Sequence, residues 1–187
     1  MKGEWCYHKE YFSSAFCQRV IDEALKLKEV EPLIADYKVD HSIRKSKIRW
    51  IQPDNSNFKF LFDEIWSIGV SMNNQFFNLD MNLLPAMQFT EYDVSYAGEY
   101  KLHQDVFWVN QTDRHRKVSL VVQLTDPSEY IGGDLQFEHL PENPPADDIR
   151  FRGTVISFPS FVFHKVTPVT KGKRYSLVAW FEGPKFK

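Results

Sequence analysis

Residues 153–182 read GTVISFPSFVFHKVTPVTKGKRYSLVAWFE, and the reading of this stretch decides the fold. It holds three short β-branched and aromatic runs, Gly153–Pro159, Val162–Pro168 and Arg174–Glu182, separated by Gly, Pro and Lys-Gly breaks. Val, Ile, Phe, Tyr and Trp suit a pleated, half-buried surface. Gly and Pro at these intervals punctuate strands. The same texture continues upstream in Met87–Tyr92, Lys117–Leu124 and Asp134–Glu138. Six or more strands at near-regular spacing predict an antiparallel sandwich or barrel. Leu140–Asp148, which carries Pro141, Pro144 and Pro145, is expected to be a loop.

Before residue 86 the period changes. Phe16, Val20, Ile21, Ala24 and Leu25 form a helical stripe, preceded by Phe12-Ser13-Ser14 with a serine placed to cap it. A second helix is expected over about Asn57–Phe77, where Phe58, Leu61, Phe62, Ile65, Trp66, Ile68 and Met72 make an apolar face and Asn55 or Ser56 caps the start. Arg44–Ile51 between them reads as a short strand. Helices first and strands afterwards give an α+β chain whose helices support one sheet from outside. The 187 residues fit a single domain, with helical support over about 1–85 and the strand core over about 86–187.

Composition narrows the function. Hydrophobic residues make up 43% and aromatics 16%, enough to bury a core. A formal net charge of −2 argues against a dedicated nucleic-acid binder driven by phosphate neutralisation. Two cysteines, Cys6 and Cys17, do not make a disulfide framework, and no apolar run of about 18 residues or signal-peptide core is present. A soluble, cytosolic protein is expected; nothing in the sequence bears on its oligomeric state.

The chemistry-bearing residues lie in the strand-rich half. His103-Gln104-Asp105 places an imidazole and a carboxylate two residues apart, so on an extended strand both point to one side. His164, in an apolar strand-like setting, is a suitable distant third ligand. Two histidines and one carboxylate leave several coordination positions open, as iron(II) needs when it activates oxygen. The short motif alone says little, since six histidines and 25 acidic residues produce about one such pair by chance. His8-Lys9-Glu10 is one, ahead of the first helix and without a distal partner.

Ten residues after His164 comes Arg174. Thr170-Lys171-Gly172 reads as a turn, so a hairpin is expected to bring Arg174 diagonally near His164, with Ser176 almost opposite it. A guanidinium beside an iron site clamps a carboxylate through two parallel hydrogen bonds. 2-Oxoglutarate offers one there, while its 2-oxo acid end chelates the metal.

Three stretches, MQFTEYDVSYAGEYKLHQD, KVSLVVQLTDPSEYIGGDLQF and GTVISFPSFVFHKVTPVTKGKRYSLVAW, resemble the prolyl 4-hydroxylase-like branch of the 2-oxoglutarate/iron(II) oxygenases, in particular the PKHD-type hydroxylases. IRKSKIRWI, residues 43–51, resembles the segment these enzymes carry before their second helix. The resemblance implies a double-stranded β-helix (jelly-roll) core and a dependence on Fe(II), 2-oxoglutarate, O2 and often ascorbate. It implies His103, Asp105 and His164 as metal ligands and Arg174 as the 2-oxoglutarate anchor. It places Tyr92 at the position of a tyrosine that often bonds the cosubstrate. Gln123 stands where relatives carry another polar or aromatic pocket residue. Trp180 shares the strand parity of Arg174, and Tyr100 and Trp108 are candidates for the substrate side. For these aromatics, plain core packing is the competing explanation.

The resulting expectation is a dioxygenase that hydroxylates an unactivated C–H bond, with a prolyl residue of a peptide or protein as first candidate. Free amino acids, other side chains and nucleobases are alternatives, as is an inactive jelly-roll binding module. No general acid or base is named, because the metal carries the difficult chemistry. Arg114, His115 and Arg116 are expected in a loop near the entrance, where they would meet an acidic peptide or remain a solvated surface.

Overall fold

The computed structural model describes residues 3–32 and 39–187. In chain order its elements are β1 (Cys6–His8), α1 (Ser14–Ala24), β2 (Arg44–Lys45), β3 (Lys47–Ile51), α2 (Lys59–Met72), β4 (Met87–Asp93), β5 (Glu99–His103), β6 (Arg114–Gln123), β7 (Tyr130–Gly132), β8 (Leu135–Phe137), α3 (Ala146–Arg150), β9 (Val155–Pro159), β10 (His164–Val166) and β11 (Val169–Pro184). The strands form two sheets. The larger runs β1-β9-β6-β11-β4-β3, with β7 pairing a further stretch of β11; the smaller runs β2-β5-β10-β8. Pairings are antiparallel throughout. This is the α+β, jelly-roll layout expected from the sequence.

The helices start where their caps are. The Ser13 hydroxyl accepts from the Phe16 amide at 3.2 Å and opens α1. The Asn55 side chain caps a 3-10 turn, Ser56–Phe58, that runs into α2. A wider π-type turn over Asn73–Phe77 extends α2 to Asn78, whose φ of 52° stops it. The Asn73 carboxamide bonds both backbone groups of Leu79 and closes that end. The expected helix over 57–77 is therefore one continuous rod with three hydrogen-bonding patterns.

Both helices bury their stripes on the outer face of the larger sheet. Cys17, Val20, Leu61, Ile65 and Met72 join Phe89, Leu120, Leu177 and Phe181 in the main core. A Cβ on Gly69 would lie 2.1 Å from the Phe181 ring, so the close approach of α2 to β11 depends on that glycine. On β11 the side chains alternate. Leu177, Ala179 and Phe181 join the helix-facing core, while Arg174, Ser176, Val178 and Trp180 line the cavity between the sheets. A second cluster, with Val121, Ile156 and Phe158 against Leu135, Phe137 and Val162, packs between the two sheets.

Four local expectations are corrected. Arg44–Ile51 is two strands, because the chain changes sheet at Ser46: Arg44 pairs with Tyr100, whereas Lys47 pairs with Glu91. His164 and Arg174 do not share a hairpin. β10 pairs with β5 and β8, and the chain crosses to the larger sheet around Thr167-Pro168. Gly172 then stays in β11 with φ 69° and pairs with Tyr130; a Cβ there would meet the Glu129 carbonyl at 2.0 Å. The proline-rich loop ends in the short helix α3, with Pro145 at its cap. Arg114, His115 and Arg116 are the first residues of β6, not a loop.

Candidate metal centre and its carboxylate anchor

His103 is the last residue of β5 and His164 the first of β10, directly opposite it in the ladder. Their rings lie 4.2 Å apart. Asp105 is past the end of β5, so strand parity does not bring it in. Instead the Asp105 and Val106 amides both donate to the Ser160 carbonyl, at 2.9 and 3.0 Å, and this turns the carboxylate toward the imidazoles. Asp105 Oδ1 is 3.7 Å from His103 Nε2, and Asp105 Oδ2 is 3.5 Å from His164 Nε2. The three ligand atoms lie within 4.8 Å of one another.

Each imidazole has a fixed tautomer. His103 Nδ1 donates to the Lys101 carbonyl at 2.8 Å and His164 Nδ1 to the Val162 carbonyl at 3.0 Å. A carbonyl only accepts, so both Nδ1 atoms carry hydrogen and both Nε2 lone pairs face the carboxylate. The Ser119 hydroxyl donates to Asp105 Oδ2 at 2.7 Å and is itself bonded to Ser160 at 3.0 Å. Burial, together with the neighbouring His164, holds the His103 imidazole well below its usual range. Burial pushes the Asp105 carboxyl up, but His164, His103, Arg116 and Ser119 outweigh it and hold it below the ordinary carboxylate range. A neutral His103 beside an ionised Asp105 suits a divalent ion, whose ligands must be deprotonated. The pair separations suit an ion whose bonds run about 2.0–2.2 Å.

Arg174 faces this trio from the other sheet. It is 1% exposed. Its Nε and Nη2 donate to one atom, Gln123 Oε1, at 3.1 and 2.8 Å, and Nη1 has no partner. No carboxylate pairs with it among the described residues. A buried cation left this way is costly unless a charged guest completes it. Gly133 leaves the room, since a Cβ there would lie 3.0 Å from Arg174 Cδ. The residues therefore fit both a divalent metal and a ligand carrying a carboxylate.

A cavity of about 340 Å³ connects the two ends. Tyr92, Tyr100 and Trp180 line it, as do the metal trio and Arg174. The Tyr92 ring lies 5.4 Å from the Arg174 guanidinium. Tyr100 stacks on His103 with ring centroids 3.5 Å apart, and burial pushes its phenol up to about 12, so it remains a donor. Trp180 leaves its indole N–H unpartnered. Trp108 does not line the cavity. It is half-exposed and packs against His115 and Phe186, while Phe107 takes the wall position. Sequence reasoning did not reach Ser119 or Ser160, which come to Asp105 from β6 and from the turn after β9. It also gave no role to Arg44 and Trp50 on the cavity wall, although both lie in the quoted IRKSKIRWI segment.

Residues 87–182, from β4 to the end of the core, match the 2OG-Fe(II) oxygenase superfamily. The chain belongs to that superfamily. Its name states the requirement for iron(II), 2-oxoglutarate and oxygen, and the His-Asp-His cluster and acid-free arginine agree with it. A PKHD-type hydroxylase of Colwellia psychrerythraea is 32% identical over 100 residues, covering 51% of this chain and 43% of that protein. One from Synechococcus elongatus is 33% identical over 89 residues, covering 45% of this chain and 38% of that protein. The matched region is thus less than half the length of these relatives. Among solved structures, a Pseudomonas putida prolyl-4-hydroxylase superposes with a TM-score of 0.71 at 22% identity, covering 97% of this chain and 94% of that one. A Trichoplax adhaerens prolyl hydroxylase in complex with a hypoxia inducible factor peptide gives 0.75 at 19% identity, covering 95% and 83%. These superpositions establish the shared superfamily fold over nearly the whole chain. No helix among the described residues is long and apolar enough to cross a membrane.

Proposed function

We propose that the chain is an iron(II)- and 2-oxoglutarate-dependent dioxygenase that hydroxylates a peptide or protein side chain, a prolyl residue first. One observation carries this: a fully buried guanidinium with no acidic partner faces a His-Asp-His cluster across a single cavity. In this reading His103 and His164 bind the metal through Nε2, and Asp105 binds it while Ser119 fixes its carboxylate. Arg174 takes the distal carboxylate of 2-oxoglutarate, with Gln123 orienting it and Tyr92 beside it. With iron(II) bound, 2-oxoglutarate and O2 become succinate and carbon dioxide, and one oxygen atom enters the substrate C–H bond. The chain's task is to orient and to keep water away; Val121, Leu135 and Val166 make that part of the wall apolar. Tyr100 and Trp180 form the substrate side.

The prolyl assignment draws support from the PKHD-type and prolyl hydroxylase relatives. Ascorbate is proposed as the reductant that sustains turnover, on the same resemblance. Cys6 and Cys17 are free and buried, which supports a reducing compartment such as the cytosol. The test is air-free addition of iron(II) and 2-oxoglutarate, which should give the weak visible charge-transfer band of the chelate. Admitting air with proline-containing peptides should then give succinate and a mass gain of one oxygen. Oxidation of nucleosides with no peptide turnover would reverse the substrate reading and keep the enzyme class.

A further inference from the structure

Two further cations stand on the cavity wall. Arg44 comes from β2 in the smaller sheet and Arg116 from β6 in the larger. Arg44 is 6% exposed; its Nε donates to the Ser46 hydroxyl at 2.8 Å, and its guanidinium lies 4.5 Å over the Tyr100 ring. A single aromatic ring therefore separates it from His103. Arg116 is half-buried, stacked 3.9 Å over Trp180 and 5.0 Å from Phe107. Neither makes an ion pair among the described residues. Glu182 is opposite Arg116 in the ladder but is not on the cavity wall. Burial holds the Arg116 guanidinium below its ordinary value, a penalty that Asp105 and Glu182 only partly relieve.

The charges can be summed on the reading given above. Asp105 and the two carboxylates of 2-oxoglutarate carry three negative charges, and iron(II) with Arg174 carries three positive ones. They cancel. The lining contains no other acidic side chain, so Arg44 and Arg116 remain as two uncompensated cations in an aromatic-walled site. Both guanidinium groups lie over aromatic rings, and apart from the Arg44 Nε bonded to Ser46 their N–H groups are available to a carboxylate. They come from opposite sheets, so a group bound by both would span the cavity.

We propose that the substrate carries a carboxylate next to the carbon that is oxidised, and that Arg44 and Arg116 select it. This rests on the oxygenase reading and narrows its substrate. The carboxylate belongs to an acidic residue beside the target in a peptide, or to a free amino acid; the chemistry of recognition is the same.

Blocked pentapeptides with a central proline flanked by Glu, Gln or Lys test this. Binding is measured by calorimetry to the Mn(II)-loaded protein with 2-oxoglutarate in the absence of air. Turnover is measured by mass on the iron-loaded protein, with free L-proline and L-glutamate as a second arm. The Glu peptides should bind at least tenfold more tightly than the Gln peptides, and added salt should shrink the difference. Arg116→Gln should bring the two within threefold. Arg116→Glu should prefer Lys peptides, a reversal that a damaged fold does not produce. Arg44→Gln should weaken Glu peptides selectively. Charge-dependent binding confined to the free amino acids would keep the carboxylate class and make the small acid its source. Equal binding and turnover of Glu and Gln peptides by an active enzyme would overturn the proposal and leave the oxygenase reading standing. If iron(II) and 2-oxoglutarate give no charge-transfer band, the reading fails and the proposal fails with it.

Discussion

Gln123 meets Arg174 with one oxygen shared between two N–H donors, 3.1 and 2.8 Å away. That geometry fixes the plane of the guanidinium and leaves Nη1 as the donor still to be used. Gln123→Leu should keep the charge and lose the plane, weakening 2-oxoglutarate binding about tenfold, equivalent to about 1.4 kcal/mol. Gln123→Glu should weaken it further, because a built-in carboxylate then competes for the same guanidinium. Iron affinity should be unchanged in both, which metal titration followed by 2-oxoglutarate titration separates. Arg174→Ala removes the charge itself and should cost about 2–5 kcal/mol of 2-oxoglutarate binding. Unaltered binding in that variant would reject the anchor. Arg174 was visible in the sequence through its distance from His164, but for a reason the structure replaces. The two residues line one cavity from opposite sheets and do not share a hairpin. Gln123 is marked in the sequence only as a pocket position through the resemblance; its bond to Arg174 depends on the β6–β11 register that sets it opposite Ser176.

Among the elements, those with a clear period were legible. The α1 stripe, the α2 face and the six β-rich runs all appear, with ends shifted by a few residues. What periodicity does not encode is sheet membership. Ser46 and Thr167-Pro168 are both points where a run that reads as continuous β texture passes from one sheet to the other. The three-residue strands β1 and β7 are too short to show a period and are defined by their partners. The helix layer offers the sharpest test at this scale. Gly69 on α2 touches the fully buried Phe181 ring, so Gly69→Ala must push α2 off β11. The expected loss is about 1–3 kcal/mol of stability, the usual cost of overpacking. Gly69→Ala with Phe181→Leu should recover part of it, since the smaller side chain returns the space. By comparison Ser13→Ala, which removes only the α1 cap, should cost about 1 kcal/mol. Urea titrations of the four proteins would order them; a silent Gly69→Ala would mean that the helix layer is not closely packed on the sheet.

At the scale of the molecule, the space between the two sheets holds an apolar cluster and, adjoining it through Val121 and Leu135, the site. Val121, Ile156 and Phe158 meet Leu135, Phe137 and Val162 in the first region. In the second, the inner faces present His103, Asp105, His164 and Arg174 around a cavity of about 340 Å³. Ser119 on β6 and Ser160 after β9 hold Asp105 from the larger sheet, while the Arg174 guanidinium has no acidic partner among the described residues. On the proposed reading, a divalent ion held by His103, Asp105 and His164 would tie β5 to β10, and 2-oxoglutarate held by Arg174 would add β11. Binding to the folded state alone stabilises by about 2.7 kcal/mol at a hundredfold excess over Kd. For a chain of this length each kcal/mol is worth about 2–4 °C in Tm, so each ligand at that excess should raise Tm by about 5–10 °C. The rise should come in two parts. Mn(II) alone should give the first, and 2-oxoglutarate should add the second only after the metal, because its oxo acid end needs the ion. A chelator should remove both. Arg174→Ala should keep the metal step and lose most of the 2-oxoglutarate step, whereas Asp105→Ala should lose both. A 2-oxoglutarate step of full size without metal would contradict the arrangement, because it would place the cosubstrate on Arg174 independently of the His-Asp-His cluster.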